Sequence, residues 1–368
     1  MDRITLKNED NKKKKYKKLK ILAIILTFSL LACGSYALFL VNKASSAVKN
    51  ASHNLSRGEK SKLRETSVKP LTHNVSILIM GIDENEGRQE EYNGAFHPDA
   101  LLLATFNNDD KTVKLVSIPR DTYTYLPIKK SNDKITHSYA YGAVKNRDDG
   151  GPAATIDAVE RLFNVPVDYF VTFNFKSFMT IVDNLGGIEV DVPVSFTEQD
   201  SNDKPDAIRI KKGLQELNGE EALALARTRK IDSDFMRGQR QQLVIEAMIK
   251  ELTSMNSVTK LGTIIDDING DFKTNLSFDD MLSFYKYGMG ASMEKLQITG
   301  EDCYMGAGDK KCMPPEIHRT YYYMPHEDSV EGITEELHNH LDLPIKKSTI
   351  DEDGNENEDE QKNQAVER

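Results

Sequence analysis

Ala100–Ile118 reads ALLLATFNNDDKTVKLVSI, two apolar runs either side of a polar turn. Ala100–Phe106 and Thr112–Ile118 are rich in residues that suit a pleated, buried surface. Asn107-Asn108-Asp109-Asp110 between them can bond their own backbone in a turn, so the pattern predicts a pair of joined strands. Upstream, Val75–Met80 (VSILIM) is a third continuous apolar run, bounded by Gly81, as expected of a strand covered on both faces. Downstream the periods alternate. A helix is predicted over Pro152–Phe163, a strand over Asp168–Asn174, and a helix over Lys176–Leu185 ended by Gly186-Gly187, followed by a strand over Ile188–Val192. Further helices are predicted over Glu220–Ala226, Phe235–Leu252, Phe278–Tyr287 (with Ser277 as N-cap) and Ser329–Leu341, and strands over Lys295–Thr299 and Tyr321–Met324. Strands interleaved with helices predict a layered α/β(α) domain, a central mixed sheet flanked by helices, over residues 74–345.

The 368 residues carry a net charge of −10, unevenly spread. Residues 1–20 hold nine Lys+Arg against three Asp+Glu, leaving the remainder strongly acidic, which argues against nucleic acid as a partner. Residues 21–41 are apolar without a charge, long enough for one N-terminal transmembrane helix. The lysines before it predict a cytoplasmic N-terminus and an extracellular remainder, with residues 42–73 as a polar stalk. A cleaved signal peptide is the alternative, disfavoured by the length of the apolar run. Residues 346–368 are acidic and low in complexity and predict a disordered tail. Cys303 and Cys312 bracket a short loop that could close as a disulfide outside the cell, and no CxxC pair suggests zinc.

Asn218–Gln242, NGEEALALARTRKIDSDFMRGQRQQ, concentrates the chemistry. Arg227, Arg229, Arg237 and Arg240 crowd together against Asp232 and Asp234, and Arg237 and Gln241 share a helix face. Guanidinium forks match phosphate oxygens in bidentate fashion, whereas ordinary surface ion pairs are the plainer explanation. Asp83 just past the first strand and Asp99 at the start of the second converge if those strands are antiparallel neighbours. Two such carboxylates suit a hard cation such as Mg²⁺, or simply cap turns. Arg120, directly after the third strand and Pro119, is expected at the same sheet edge. Lys134 is read as opening the next helix. His338 and His340, two apart on a helix, diverge and are not read as metal ligands. Neither a Gly-x-Ser-x-Gly elbow nor a phosphate-binding P-loop is present.

Five segments, Val75–Asp83, Pro98–Thr122, Asp133–Gly142, Gly151–Val192 and Leu214–Gln242, resemble in order the blocks of the LytR-CpsA-Psr (LCP) family. The words SIPRDT, DNLGGIEVDV and LNGEEALALARTR with RGQRQQ carry the resemblance. The loop between Asp83 and Asp99 is longer than usual, and His97-Pro98 stands where the family often has Arg-Ser. The resemblance implies a membrane-anchored phosphotransferase that moves a cell-wall glycopolymer, such as wall teichoic acid, from an undecaprenyl-diphosphate carrier to peptidoglycan. It further implies Mg²⁺ on Asp83 and Asp99, and Arg120, Arg227, Arg229 and Arg237 on the diphosphate. Lys134, Arg240 and Gln241 would support substrate, and Asp234 would orient Arg237 or assist proton removal. The lipid tail would need a dry slot, for which Phe170, Phe173, Phe178, Ile181 and Val182 are candidates, with membership of the core the plainer reading. A pyrophosphatase using the same site, and a membrane-tethered binding or regulatory protein, are the competing expectations.

Overall fold

The computed structural model describes residues 57–343 apart from 59, 71, 84–95, 229–230, 232–233, 255–257, 269–270, 289, 307–308, 310 and 317–318, with isolated positions between 39 and 55. The predicted membrane segment apart from Phe39, with Cys33, the acidic tail, Arg229 and Asp232, lies outside the described residues, as does the side chain of Asp234. Among the described residues no helix is long and apolar enough to cross a membrane.

The strands are β1 (Val75–Ile82), β2 (Pro98–Asn107), β3 (Thr112–Ser117), β4 (Tyr123–Leu126), β5 (Ser131–Lys134), β6 (Tyr169–Asn174), β7 (Ile188–Val192), β8 (Phe196–Glu198), β9 (Ile208–Ile210), β10 (Gly213–Leu217), β11 (Phe272–Thr274), β12 (Ser292–Gln297), β13 (Gly300–Met305) and β14 (Thr320–Pro325). The helices are α1 (His137–Lys145), α2 (Gly150–Phe163), α3 (Phe175–Leu185), α4 (Gly219–Arg227), α5 (Asp234–Ser254), α6 (Val258–Asp267), α7 (Phe278–Gly288) and α8 (Glu327–His340). Six strands form one mixed sheet in the order β11-β6-β1-β2-β3-β12. Within it β1 runs parallel to β6 and β12 parallel to β3, the other pairs being antiparallel.

Strand alternation divides the apolar runs between two layers. Leu101 and Leu103 of β2 join Leu78, Met80, Val116, Ile156, Phe163 and Leu337 in one core. Leu102 and Ala104 turn to the opposite face against Ile245 of α5 and Tyr287 of α7. Cover on both sides explains why these strands read as unbroken hydrophobic runs. A second core, built by α3, α4, β7, β10 and α5, extends the domain at one flank. Asn174 and Asn218 each begin a helix with a capping box, closed by Ser177 and Glu221 respectively, and Gly186 and Gly187 take φ of +93° and +100° at the end of α3.

Two expectations need correction. Lys134 does not open a helix: it closes β5, paired with Tyr123, and α1 starts at His137. The stretch read as stalk is laid against the domain from Leu55 onward. Leu55 enters the core, Arg57 bonds Glu160 at 2.8 Å, and Arg64 bonds both oxygens of Asp168 at 3.0 and 2.8 Å. The half-expected disulfide is present, Cys303 to Cys312, across a Cα separation of 4.9 Å.

His340 is a structural clamp. Its buried ring bonds Thr105 Oγ1 through Nδ1 and Thr112 Oγ1 through Nε2, each at 2.8 Å, pinning α8 to the sheet. Burial, helped by the Lys114 charge, pushes its pKa below the usual imidazole value. The unfolded chain therefore binds a proton there more readily than the folded one. The clamp's stability is fully present above the ordinary histidine pKa and is lost as pH falls below it. The thermal midpoint is expected to drop between about pH 7 and pH 5. His340→Gln should flatten that slope, and an unchanged slope would refute the assignment.

Candidate functional site

The antiparallel register of β1 and β2 sets Gly81 opposite Ala100 and, after a bulge, Ile82 opposite Pro98. Asp83, one residue on, therefore meets the start of β2, where Asp99 lies. Arg120, emerging after β3 and Pro119, forms an ion pair with Asp99 and reaches Asp121 at 3.4 Å. Asp121 is buried and also faces Lys134 Nζ at 2.7 Å. Lys134 is thus placed as a brace on the loop that carries Arg120. Thr136 locks the same loop, its amide donating to the Arg120 carbonyl and its hydroxyl to that of Pro98.

A cavity opens beside this edge. Its polar lining is Asp99 and Arg227, both partly exposed at its mouth, together with the buried Arg237 and Gln241, and its other walls are apolar, with Phe173, Phe175, Phe178, Leu223 and Val244 prominent. Arg227 ends α4, donates to the carbonyls of Gln199 and Asp200, and lies 5.7 Å from the Phe175 ring centre. Arg237 and Gln241, one helical turn apart on α5, both face the cavity. Gln241 also reaches the Ala226 carbonyl at 3.3 Å. Arg240, as buried as Arg237, does not line the cavity: it donates to the Thr228 carbonyl at 2.7 Å, fastening α5 to the end of α4.

The start of α5 sits unusually close to the sheet. A Cβ on Gly238 would fall 2.5 Å from Ser117 Oγ and 2.7 Å from Gln297 Nε2, so a side chain there would force those two side chains to move. Gln242 secures it, donating to the carbonyls of Leu115 and Leu296. Arg237 is thereby carried to the cavity beside the end of β1 and the start of β2.

Of the proposed slot residues, Phe173 and Phe178 line the cavity. Phe170 does not: it is fully buried in the core on the opposite sheet face. Ile181 and Val182 belong to the second core without lining the cavity. Phe175, Leu223, Ala226, Val244 and Ile245 were not foreseen, although the apolar face shared by Leu223 and Ala226, three apart on α4, is a helical signal.

Beyond Lys134, Asp133 accepts from Lys129 Nζ at 2.6 Å and lies 3.0 Å from His137 Nδ1. Burial works to raise this carboxyl, but its bonds to His137, Lys129 and the Lys134 amide outweigh that and hold it well below the usual carboxylate range.

The fold and cavity define a layered α/β protein with a cationic mouth and an apolar interior, suited to an amphiphilic anion. Residues 38–339 match the LytR_cpsA_psr family, and the chain belongs to it. It is 36% identical over 333 residues to the polyisoprenyl-teichoic acid–peptidoglycan teichoic acid transferase TagT of Bacillus subtilis, covering 90% of this chain and 97% of that one. It is 38% identical over 339 residues to TagU of the same organism, covering 92% and 100%. The structure of TagT bound to LIIa-WTA superposes with a TM-score of 0.62 at 32% identity, over 79% of this chain and all of that one. A TagT structure with bound octaprenyl pyrophosphate lipid superposes at 0.58, with 30% identity and the same coverage.

Proposed function

We propose that this protein is a membrane-anchored phosphotransferase that moves a cell-wall glycopolymer, of the wall teichoic acid class, from undecaprenyl diphosphate to peptidoglycan. One observation carries the reading: a single cavity joins an arginine mouth to an apolar interior, the two halves of a lipid diphosphate. TagT and TagU, named as teichoic acid transferases, support it. The anchor over residues 21–41 and the extracellular placement of the domain belong to the same proposal.

In the reaction a peptidoglycan sugar hydroxyl, on the family resemblance the 6-hydroxyl of N-acetylmuramic acid, attacks the phosphorus that bears the glycopolymer. A new P–O bond forms, the bridging P–O bond breaks, the hydroxyl proton is lost, and undecaprenyl phosphate leaves. Such transfers are catalysed chiefly by positioning and by stabilising charge on the phosphoryl oxygens. Arg227 and Arg237, with Arg229, would hold the diphosphate, while Arg120 would address the reacting phosphoryl group from the Asp99 side. Gln241 would orient the head group, and Lys134 and Arg240 would act by holding the loop and helix that carry these arginines. Asp234 is retained as a candidate for orienting Arg237 or assisting proton loss.

Asp83 and Asp99 offer oxygen donors at one strand edge, a set that suits Mg²⁺. Among the described residues no third carboxylate, histidine or cysteine joins them, so the rest of the coordination would come from water and substrate phosphate. Bound there, Mg²⁺ would neutralise phosphate charge. The test is transfer from a lipid-linked glycopolymer by the full chain, with and without peptidoglycan acceptor. The proposal expects an acceptor-dependent phosphodiester product. It also expects Asp83→Ala to slow transfer about a hundredfold and to weaken Mg²⁺ binding measured calorimetrically. Release of lipid phosphate without an acceptor product would instead make it a pyrophosphatase, and full activity in excess chelator would remove the metal.

A further inference from the structure

A second cluster is joined to the Arg120 loop without lining the cavity. The β13–β14 hairpin, whose connecting loop is tied back to the middle of β13 by the Cys303–Cys312 disulfide, carries Tyr304, Tyr321 and Tyr322. It is fastened to the Arg120 loop: the Tyr323 amide donates to the Asp121 carbonyl at 2.9 Å, and Thr122 bridges Tyr323. Tyr323 turns into the core, whereas Tyr321 and Tyr322, the two residues before it on β14, stay half-exposed. Lys134 Nζ lies 5.7 Å from both of their ring centres. Tyr322 meets Tyr123 of β4 edge-on at 5.2 Å, and Tyr321 meets Tyr304 at 5.5 Å. The contacts thus run continuously from Asp99 through Arg120, Asp121 and Lys134 to the tyrosines, and none of these rings lines the cavity.

We infer that this tyrosine cluster is the platform on which the acceptor glycan strand is seated. The inference rests on the transfer reading. Half-exposed aromatic rings flanked by charged and hydroxyl groups match a saccharide, whose C–H faces stack on rings while its hydroxyls take hydrogen bonds. Lys134 and Asp302, the latter bonded by the Tyr321 hydroxyl at 2.9 Å, stand among the rings to supply such bonds. The choice of the acceptor over the donor polymer follows from the reaction. Attacking and leaving oxygens lie on opposite sides of phosphorus, and the leaving lipid phosphate belongs at the cavity mouth. The nucleophile then arrives from the far side of Arg120, where the tyrosines are. Burial beside Asp133 raises the Tyr322 pKa, so its hydroxyl stays protonated and can both donate and accept.

The experiment uses the detergent-solubilised full chain and two readouts. In the first, muramidase-released glycan oligomers of peptidoglycan are titrated without lipid substrate. The unmutated protein should bind them, and the double variant Tyr321→Ala/Tyr322→Ala should bind roughly tenfold more weakly, the worth of two stacked rings. The corresponding Phe variant should stay within about threefold, because stacking survives. In the second, the Ala variant should raise KM for acceptor about tenfold while leaving kcat and KM for the lipid-linked donor nearly unchanged. Glycan binding that is absent, or equal in the Ala variant and the unmutated protein, overturns the platform. A fall in kcat without a change in acceptor KM also overturns it, pointing to hairpin support of the Arg120 loop instead. If glycan binds as expected but no transfer occurs, the transfer reading fails and the saccharide site stands.

Discussion

Arg120→Ala is expected to slow glycopolymer transfer about a thousandfold while leaving the fold in place. The magnitude follows from its situation. Its side chain, 26% exposed, is held on one side by Asp99, which lines the cavity, and on the other by Asp121. Thr136 fixes the backbone beneath it, so the guanidinium is aimed before substrate arrives. Little stability depends on it. Asp121 keeps Lys134 at 2.7 Å, and Asp99 is exposed enough to regain water, so the cost is about 1 kcal/mol or less. Arg120→Lys should recover part of the rate, since it restores charge without the planar fork. Single-turnover transfer from lipid-linked polymer, alongside a melting curve, is the measurement. A rate within a few-fold of the unmutated protein would show that Arg120 only braces Asp99 and Asp121.

The legible parts of the fold are those in which local pattern and tertiary environment agree. VSILIM, ALLLATF and TVKLVSI announce strands because both their faces are covered, and one antiparallel pairing then suffices to bring Asp83 toward Asp99. SNDK, by contrast, carries no apolar period and forms β5 solely by pairing with Tyr123–Leu126. That pairing holds Lys134 in a strand and delays the helix to His137. The three-residue strands β8, β9 and β11 escape notice because three residues are too few to show a period. Among the site residues, four arginines were visible as an excess of charge over the two local aspartates, but the burial of Arg237 and Arg240 was not. Burial of Arg240 is set by packing between α4 and α5, which spacing along α5 does not encode. Phe170 and Phe173 could have been sorted: three residues apart on one strand, they must face opposite sides of the sheet, and they do.

Ala226→Phe should separate the two halves of the proposed substrate. Ala226 lines the apolar part of the cavity in the last turn of α4, next to Arg227 at the mouth. A phenyl group there would fill the slot without removing any of the cationic groups. Displacing a few methylenes of a lipid tail at ~0.8 kcal/mol each should lower affinity for a long-chain polyprenyl diphosphate about a hundredfold. A diphosphate with only two isoprene units, which leans mainly on Arg227 and Arg237, should change less than about threefold by the same arithmetic. The overpacked residue costs about 1–3 kcal/mol of stability, so a melting curve accompanies the titration. Val244→Phe, entering the cavity from α5, gives an independent version of the test. Equal losses for long and short ligands in both variants would mean that the arginine mouth itself had been disturbed. Unchanged long-chain binding would place the tail outside this cavity. A loss that grows with chain length requires the diphosphate to sit at the arginines while the tail runs between Phe173, Phe175 and Phe178, because only that orientation makes tail length the variable the new ring obstructs.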